Sequence, residues 1–351
     1  MQAQRAAFVT GGSGFIGGRL IRRLADEGWS VRALARSERS AERVRERGAE
    51  AVPGDLDDVA RLRAGATGCE LAFHAAAQLG EWGDTREFER INVGGTRNAL
   101  SACAAAGVRR FVHVGTEAAL MAGQPLIGVD EHAPLRFDSP AFYSATKARA
   151  EEAVITAAVP GFETVVVRPR FVWGAGDTTI LPALVDAVRS RRFAWIGGGR
   201  HLTSTTHVDN VVEGLLLGAE RGITANAYFV TDGAPVVFRD FVCDLLATQG
   251  VEPPTRSVPP RLARTLARAS EAAWRSLPLP GQPPITRLTY WLMSMETTID
   301  ITKAREQLGY RPVRSIADGL EGLRRERVDA SAGGPAGGAD GSSPGATLDR
   351  S

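Results

Sequence analysis

Short apolar runs alternate with longer amphipathic stretches along the first half of the chain. Each run is roughly 4 to 7 residues long, the usual length of a buried strand. The six predicted strands are residues 6–10, 30–34, 49–53, 70–74, 110–115 and 163–168. Helical patterns fill the gaps between them, at residues 15–27, 40–47, 85–106 and 142–159. This alternation is typical of an α/β fold in which helices connect parallel strands.

The pattern loosens after the sixth predicted strand, where prolines and glycines separate short apolar runs. We interpret residues 1–170 as one domain, with 205–230 returning to its sheet. Residues 171–204 and 231–329 are predicted to form a smaller lobe whose loops line a ligand pocket. The last segment, 330–351, is mostly Gly, Ala, Ser and Pro, so it is expected to be disordered because it has little apolar surface to offset the entropy of ordering.

Composition narrows the classes of partner. The 42 basic and 40 acidic residues leave a formal charge of +2, which provides no strong positive field for a nucleic-acid backbone. The three cysteines, Cys69, Cys103 and Cys243, form no CxxC pair, so we expect no metal site, no disulfide and a cytoplasmic location. No apolar run approaches the roughly 18 residues of a membrane-spanning helix, which predicts no integral membrane segment.

The first predicted strand leads directly into a glycine-rich turn and then a helix. Gly11, Gly14 and Gly17 define this turn, with Phe15 and Ile16 at the start of the helix. Glycine permits the tight turn and the close approach of a pyrophosphate, and the helix N-terminus offers free N–H donors to the anion. The pattern predicts dinucleotide binding by a Rossmann-type doubly wound parallel sheet. A flexible turn in a chain with 39 glycines is the alternative.

The end of the second predicted strand indicates which dinucleotide is bound. An acidic residue there accepts hydrogen bonds from the ribose of NAD, whereas an arginine suits the 2′-phosphate of NADP. The chain has Arg36, followed by Ser37, and no acidic residue, so we predict NADP(H) over NAD(H). A solvated arginine is the alternative. Asp55 and Leu56, after the third strand, are placed to contact the adenine, although Asp55 could instead cap the next helix.

Lysine is scarce in this chain, because only Lys147 and Lys303 occur among its 42 basic residues. Codon bias explains such scarcity in general. Tyr143, however, lies four residues before Lys147, so the two side chains share one face of the predicted helix. A nearby ammonium stabilises a phenolate, which makes a tyrosine useful as an acid or base near pH 7. The spacing therefore predicts a catalytic pair.

The glycine turn and the Tyr143–Lys147 pair together resemble the extended short-chain dehydrogenase/reductase family over residues 5–325. The resemblance implies that Thr116, at the end of the fifth strand, binds the substrate oxygen. It also implies that Asn92 steadies Lys147 and that Lys147 bonds to the nicotinamide ribose. Further cofactor contacts implied by the resemblance come from Ala75, Ala76, Ala77 and Pro169.

Two further segments, 168–177 and 205–210, look most like the 3β-hydroxysteroid dehydrogenase-like branch of that family. This resemblance implies hydride transfer between a nicotinamide cofactor and a ketone or secondary alcohol. The substrate would be small and hydrophobic, such as a 3-hydroxysteroid or a 2-alkyl-3-keto acid. Glu117, Arg170 and Trp173 are the candidate substrate contacts. A homodimer through the two long central helices would also resemble the family.

Two other functions remain open at this point. A sugar-nucleotide epimerase or dehydratase with bound NAD would use an acidic residue after Thr116, and Glu117 is present. Such enzymes carry Asp-Glu in tandem, whereas here Glu117 precedes Ala118. A non-catalytic dinucleotide-binding redox sensor is the second alternative, but such proteins commonly lose the Tyr/Lys pair that this chain keeps.

One surface feature has two interpretations. Arginines recur at helical spacing in residues 260–276, opposite Leu262, Leu266 and Ala269, which predicts a basic amphipathic helix. It could be a lid that touches membrane lipid while a hydrophobic substrate enters. A solvated surface helix is the other interpretation.

Overall fold

The computed structural model describes residues 5–277 and 279–332. Within these ranges, the strands are β1 Ala6–Thr10, β2 Ser30–Ala35, β3 Glu50–Pro53, β4 Leu71–His74, β5 Arg110–Val114, β6 Leu126–Val129, β7 Glu163–Pro169, β8 Val172–Trp173, β9 Trp195–Ile196, β10 Leu202–Thr203, β11 Thr206–His207, β12 Asn226–Val230, β13 Val236–Val237, β14 Ser257–Val258 and β15 Thr297–Ile299. The α-helices are α1 Phe15–Asp26, α2 Glu38–Arg45, α3 Val59–Ala66, α4 Thr85–Phe88, α5 Gly95–Ala105, α6 Phe142–Thr156, α7 Ile180–Arg189, α8 Val208–Arg221, α9 Phe238–Thr248, α10 Pro260–Ser276, α11 Arg287–Ser294 and α12 Ile316–Ala332.

Seven of these strands form one parallel sheet in the order β12-β7-β5-β4-β1-β2-β3. The chain first builds outward from β1 to β3 and then returns to the other side of β1 with β4. The carboxyl ends of β1 and β4 therefore border the point where the winding direction changes, which is where ligands bind in open α/β sheets. The predicted doubly wound parallel fold is confirmed.

Apolar side chains cover both faces of the sheet. One core cluster joins Leu20 and Leu24 of α1 and Leu215 of α8 to the strands. The other joins Leu62 of α3 and Ala99 of α5 to the opposite face. The strands read as continuous apolar runs because both of their faces are buried.

Beyond β7 the chain alternates between the large sheet and smaller units. Strand β12 extends the edge of the large sheet beside β7, and α8 packs on its face. Four short strands form a second sheet in the order β13-β10-β15-β6. Pairs β11-β8 and β14-β9 complete the small strands of the described residues. The predicted division into two lobes stays a prediction.

Several predicted bounds differ from the structure, and the helix predicted for 142–159 ends at Thr156. The predicted helix 85–106 is interrupted by a π-helical segment, Glu89–Gly94, which inserts an extra residue per turn between α4 and α5. Helix α2 begins at Glu38, two residues early, because Ser37 and Ser40 form a capping box. The predicted disordered tail is wrong for residues 330–332, which end α12, and its remainder lies outside the described residues.

The predicted basic amphipathic helix is present as α10. Ala263 and Ala267 are buried, while Leu262 and Leu266 are about half exposed. Among the described residues, no helix combines the length and apolarity needed to cross a membrane.

Candidate active site

The glycine turn closes tightly against the strand beside it. Gly11 has a φ of 73°, and a Cβ there would lie 2.5 Å from the carbonyl carbon of Ala75 and the nitrogen of Ala76. A Cβ on Gly17 would collide with the carbonyl oxygen of Gly11. Helix α1 begins at Phe15, immediately after this turn, so its free N–H groups face the carboxyl edge of the sheet. The turn fits a dinucleotide because its backbone is bare where a pyrophosphate would approach.

A cationic cavity of about 310 Å³ opens beside this turn. Its lining consists of three arginines and three serines: Ser13, Arg36, Ser37, Arg39, Ser40 and Arg43. Within the described residues, none of the three arginines has a carboxylate partner. Of these residues, Arg36 and Ser37 were predicted from the sequence, whereas Arg39, Arg43 and Ser13 were not. Arg39 and Arg43 lie one helical turn apart on α2, a spacing that sequence alone could have indicated.

Arg47 contacts the glycine turn from α2's far end. Its Nη1 donates to the carbonyl oxygens of Gly12, at 2.6 Å, and Gly14, at 3.0 Å. A Cβ on Gly18 would collide with this guanidinium, so glycine at position 18 makes the approach possible. Burial and the charges of Arg22 and Arg43 lower the pKa of Arg47. No local pattern signals this contact.

Asp55 and Leu56 lie on the adenine side of the predicted cofactor cleft. The Asp55 carboxylate accepts from the backbone N–H of Leu56 at 2.6 Å, and Leu56 is buried in the second core cluster. The alternative that Asp55 caps the next helix is wrong, because Asp58 caps α3 by accepting from the N–H of Arg61. The adenine contact of Asp55 and Leu56 stays a prediction.

Tyr143 lies in the first turn of α6, beside the carboxyl end of β5. Burial, followed by the charge of Glu117, raises the pKa of its phenol, and a hydrogen bond with the Thr116 hydroxyl acts in the opposite direction. The phenol is therefore held in its protonated form at neutral pH. The structure brings Tyr143 close to Thr116 and Glu117.

Lys147 is buried one helical turn further along α6. Its ammonium donates to Nε2 of His113, at 3.2 Å, and to the carbonyl oxygen of Val114, at 2.9 Å. Burial lowers the pKa of Lys147 to about 8, while the charge of Glu151 raises it. The ammonium thus rests on strand β5, a contact that the Tyr143–Lys147 spacing did not indicate.

Thr116 and Glu117 begin a buried chain of polar groups. The Thr116 hydroxyl donates to Oε2 of Glu117 at 2.8 Å, and Nη1 of Arg170 donates to Oε1 at 2.6 Å. Arg170 reaches on to the hydroxyl of Thr203 at 3.3 Å. Both carboxylate oxygens of Glu117 therefore have partners. Because the Thr116 hydroxyl donates its proton to Glu117, it must rotate before it can donate to a substrate.

Asn92 lies in the π-helical segment and is buried. Its oxygen accepts from the N–H of Gln78 at 2.7 Å, and its amide donates to the hydroxyl of Thr146 at 3.1 Å. Thr146 in turn donates to the carbonyl oxygen of Phe142 at 2.8 Å. Asn92 therefore connects the loop after β4 to helix α6. It contacts α6 at Thr146, the residue that precedes Lys147.

The remaining predicted residues fall into different surroundings. Pro169 ends β7, and Ala77 follows the Ala75–Ala76 segment that meets the glycine turn. Trp173 is 1% exposed, packs against Phe241, and donates its indole N–H to Asp232 at 2.8 Å. The predicted substrate contact of Trp173 finds no support in this packing.

A second buried ion pair supports the catalytic helix. Arg168 on β7 donates to Oε1 of Glu151, one turn after Lys147 on α6, and both side chains are buried. A Cβ on Gly115 would lie 2.7 Å from Val166 and 3.3 Å from Oε2 of Glu151. This crowding explains why glycine stands at position 115.

Comparisons with known proteins agree with this geometry. The model of the 3-beta hydroxysteroid dehydrogenase/isomerase family matches residues 8–261. The chain is 48% identical over 318 residues to a 4-hydroxy-2-methyl-3-oxo-4-farnesyl-3,4-dihydroquinoline-1-oxide ketoreductase of Stigmatella aurantiaca, covering 91% of this chain and 95% of that protein. It is 34% identical over 326 residues to a 2-alkyl-3-oxoalkanoate reductase of Stenotrophomonas maltophilia, covering 90% and 97%.

A solved structure shows the same fold at lower identity. The dTDP-glucose 4,6-dehydratase of Streptomyces venezuelae, solved with NAD bound, has a TM-score of 0.71 and 22% identity, covering 93% of this chain and 98% of that one. Together with the family match, these findings confirm the resemblance that the motifs indicated.

Proposed function

Because the chain belongs to the 3-beta hydroxysteroid dehydrogenase/isomerase family, we propose that it reduces a ketone on a hydrophobic substrate to a secondary alcohol. It is an oxidoreductase of the extended short-chain dehydrogenase/reductase type. The observation that carries the proposal is the hydrogen-bonded pair of Tyr143 and Thr116 at the carboxyl end of β5, two strands from β1 and its glycine turn.

The proposed roles follow from the state of each side chain. When bound, a nicotinamide dinucleotide would supply the hydride that reduces the carbonyl carbon. Tyr143, whose phenol keeps its proton, donates it to the carbonyl oxygen, so that ketone, hydride and proton together give the alcohol. Thr116 orients that oxygen after its hydroxyl rotates away from Glu117. Lys147 supplies a positive charge that stabilises the phenolate left behind.

The substrate proposed here is hydrophobic and uncharged near its ketone. Leu292, Met293 and Met295 are partly buried against the first core cluster, as is Tyr143. The guanidinium of Arg170 is engaged by Glu117, so it is not free to bind a substrate carboxylate. A neutral ketone, of the kind named for the Stigmatella relative, therefore suits the site better than a keto acid.

NADP(H) is the proposed form of the cofactor. Arg36, Arg39 and Arg43 present unneutralised charge around a cavity next to the glycine turn. Ser37 lines the same cavity as the N-cap of α2, where its hydroxyl and backbone N–H are engaged with Ser40 in the capping box. This set of donors suits a charged phosphate on the adenosine ribose, whereas a neutral ribose hydroxyl would not require three cations.

The same geometry counts against the sugar-nucleotide dehydratase alternative. A general acid must carry a proton, whereas Glu117 is ion-paired with Arg170 and accepts from Thr116. The redox-sensor alternative predicts that the chain turns over no ketone, and the turnover experiment below tests it directly.

The substrate class is tested with a panel that compares neutral ketones, 2-alkyl-3-keto acids, 3-keto steroids and UDP-sugars by NADPH absorbance. We expect turnover on a neutral hydrophobic ketone. On that substrate, Tyr143→Phe should reduce kcat by about 100-fold or more, because general acid catalysis of this kind contributes about 10²–10⁴-fold.

Tyr228→Phe is the matched control, because Tyr228 lies on the edge strand β12, outside the site. Its phenol accepts from the N–H of Ile223 and donates to the side-chain oxygen of Gln307. It should keep wild-type kcat. Wild-type turnover by Tyr143→Phe would refute the proposed acid, and turnover of UDP-sugars alone would refute the proposed substrate class.

Assembly and location are proposed from the sequence. Helices α5 and α6, the two long central helices, border a groove of about 560 Å³ that includes Leu100 and Ala153, and we propose that a second copy packs there. Sedimentation velocity measures this, and a monomer at micromolar concentration would contradict it.

The three cysteines are free thiols in the described residues, which supports a cytoplasmic location that cell fractionation tests.

A further inference from the structure

Two histidines occupy neighbouring positions in the centre of the sheet. His74 on β4 and His113 on β5 are paired in register, their rings stack at 5.3 Å, and both are buried. Their hydrogen bonding differs. His74 bonds to the hydroxyls of Thr10, at 2.7 Å, and Thr96, at 3.0 Å, so both of its ring nitrogens have partners.

His113 has a partner at only one ring nitrogen. Its Nε2 accepts from the ammonium of Lys147, and its Nδ1 is buried without a partner among the described residues. Because an ammonium has only donors, Nε2 must be unprotonated and the ring proton must reside on Nδ1. A buried N–H without a partner costs about 1–3 kcal/mol, so simple packing in the sheet does not explain this histidine.

The contact has a direct consequence for the lysine. An ammonium carries three N–H donors in fixed tetrahedral directions. His113 and the carbonyl oxygen of Val114 accept two of them, at 3.2 and 2.9 Å. One donor is left, and its direction is set by the other two.

We propose that His113 is a positioning residue for Lys147, which accepts one N–H of the ammonium and, with the Val114 carbonyl, leaves a single oriented donor for the active site. The proposal rests on the role given to Lys147 in the proposed function. Pre-orientation of this kind lowers the entropy that is lost when a ribose hydroxyl or the phenolate engages the lysine.

The surroundings keep His113 suited to this task. Burial, followed by the charges of Lys147 and His74, lowers the pKa of His113 well below its ordinary value, so the ring stays a neutral acceptor. His74 is neutral for the same reason. Among the described residues, Glu151 on α6 also acts on the ammonium, and this carboxylate is paired with Arg168 on β7. Loss of the His113 acceptor should therefore shift the equilibrium of Lys147 towards the free amine.

The scarcity of lysine makes the test unusually direct. Protein labelled with [6-¹³C]lysine has two side-chain signals, from Lys147 and Lys303, and Lys303→Arg assigns them. In the free wild-type protein, the Lys147 signal should titrate near pH 8. In His113→Leu its midpoint should fall by about one pH unit, the shift expected for loss of one hydrogen bond to a charged group.

His113→Gln is the matched variant, because its side-chain oxygen can occupy the place of Nε2 and accept from the ammonium. It should keep the wild-type midpoint and retain NADPH affinity, whereas His113→Leu should bind NADPH several-fold more weakly. Equal midpoints in the Leu and Gln variants would overturn the proposal.

A measurement on the unaltered protein covers the case in which the variants do not fold. Nitrogen-15 spectra of the histidine rings report the tautomer, and His113 should carry its proton on Nδ1 from pH 6 to 8. A proton on Nε2 in that range would overturn the proposal. Turnover of Lys147→Met is a separate test: if it is unimpaired, the proposed function fails, whatever the spectra show.

Discussion

Two groups of arginines near the predicted cofactor cleft differ in burial and in carboxylate pairing. At the outer end, Arg36, Arg39 and Arg43 line an open cavity, and none of them forms an ion pair with a carboxylate of the described residues. At the inner end, Arg168 and Arg170 are almost fully buried, and each is paired with a buried glutamate. A cation in contact with water stays hydrated until an anionic ligand binds, whereas a buried cation must be neutralised within the fold. Burial thus separates the three arginines that stay open to an anionic ligand from the two that are neutralised within the fold.

The two inner pairs contact different parts of the candidate site. Glu117 connects Arg170 to the hydroxyl of Thr116. Glu151 connects Arg168 to the helix that carries Lys147, whose pKa its charge raises. In the first pair both carboxylate oxygens have partners, while Oε2 of Glu151 has none among the described residues.

The largest effect should come from breaking an inner pair. Arg168→Met leaves Glu151 buried without its partner, so the free energy of unfolding should fall by about 3–5 kcal/mol. Urea denaturation followed by circular dichroism measures this. The double variant with Glu151→Leu should recover most of the loss, because no buried charge then remains unpaired.

Arg109→Met is the control for this prediction. Arg109 also contacts two glutamates, Glu70 at 3.0 Å and Glu163 at 3.2 Å, but its side chain is half exposed. Its loss should cost less than about 1 kcal/mol. If both variants lose equal stability, burial does not separate the two groups of arginines.

An intermediate effect is expected at the outer group. Arg36→Ala should weaken NADPH binding by about 10- to 100-fold, the usual range for one hydrogen bond to a charged group, and leave NADH binding unchanged. Fluorescence titration with both cofactors measures this. Arg45→Ala on the same helix, where Arg45 pairs with Glu38, should change neither affinity. An equal loss for NADH and NADPH would contradict the proposed phosphate contact.

The smallest effect should come from salt. Raising ionic strength from about 0.05 to 0.5 M shortens the Debye length and screens exposed charges, so NADPH binding should weaken several-fold more than NADH binding. The stability difference between wild type and Arg168→Met should hardly change, because buried pairs are screened much less. If salt changed the NADPH affinity and the stability difference between wild type and Arg168→Met equally, the outer and inner arginines would not differ in screening.

Most of the large sheet could be predicted because its strands are short apolar runs buried on both faces. Predicted and observed bounds agree within one residue for β1, β4 and β7, among others. The π-helical segment Glu89–Gly94 could not be predicted, since its residues have an ordinary helical pattern. Its effect is local but important, because it places Asn92 against Gln78 and Thr146.

The candidate site divides in the same way. The sequence by itself determined the features that depend on local spacing, namely the glycine turn and the helical turn between Tyr143 and Lys147. Only the tertiary structure determined which charges are paired, because Glu117 and Arg170 lie 53 residues apart and meet where two strands end. Likewise, His113 and Lys147 are separated by 34 positions. Contacts of this range depend on strand order and burial, which a periodic pattern along the chain does not encode.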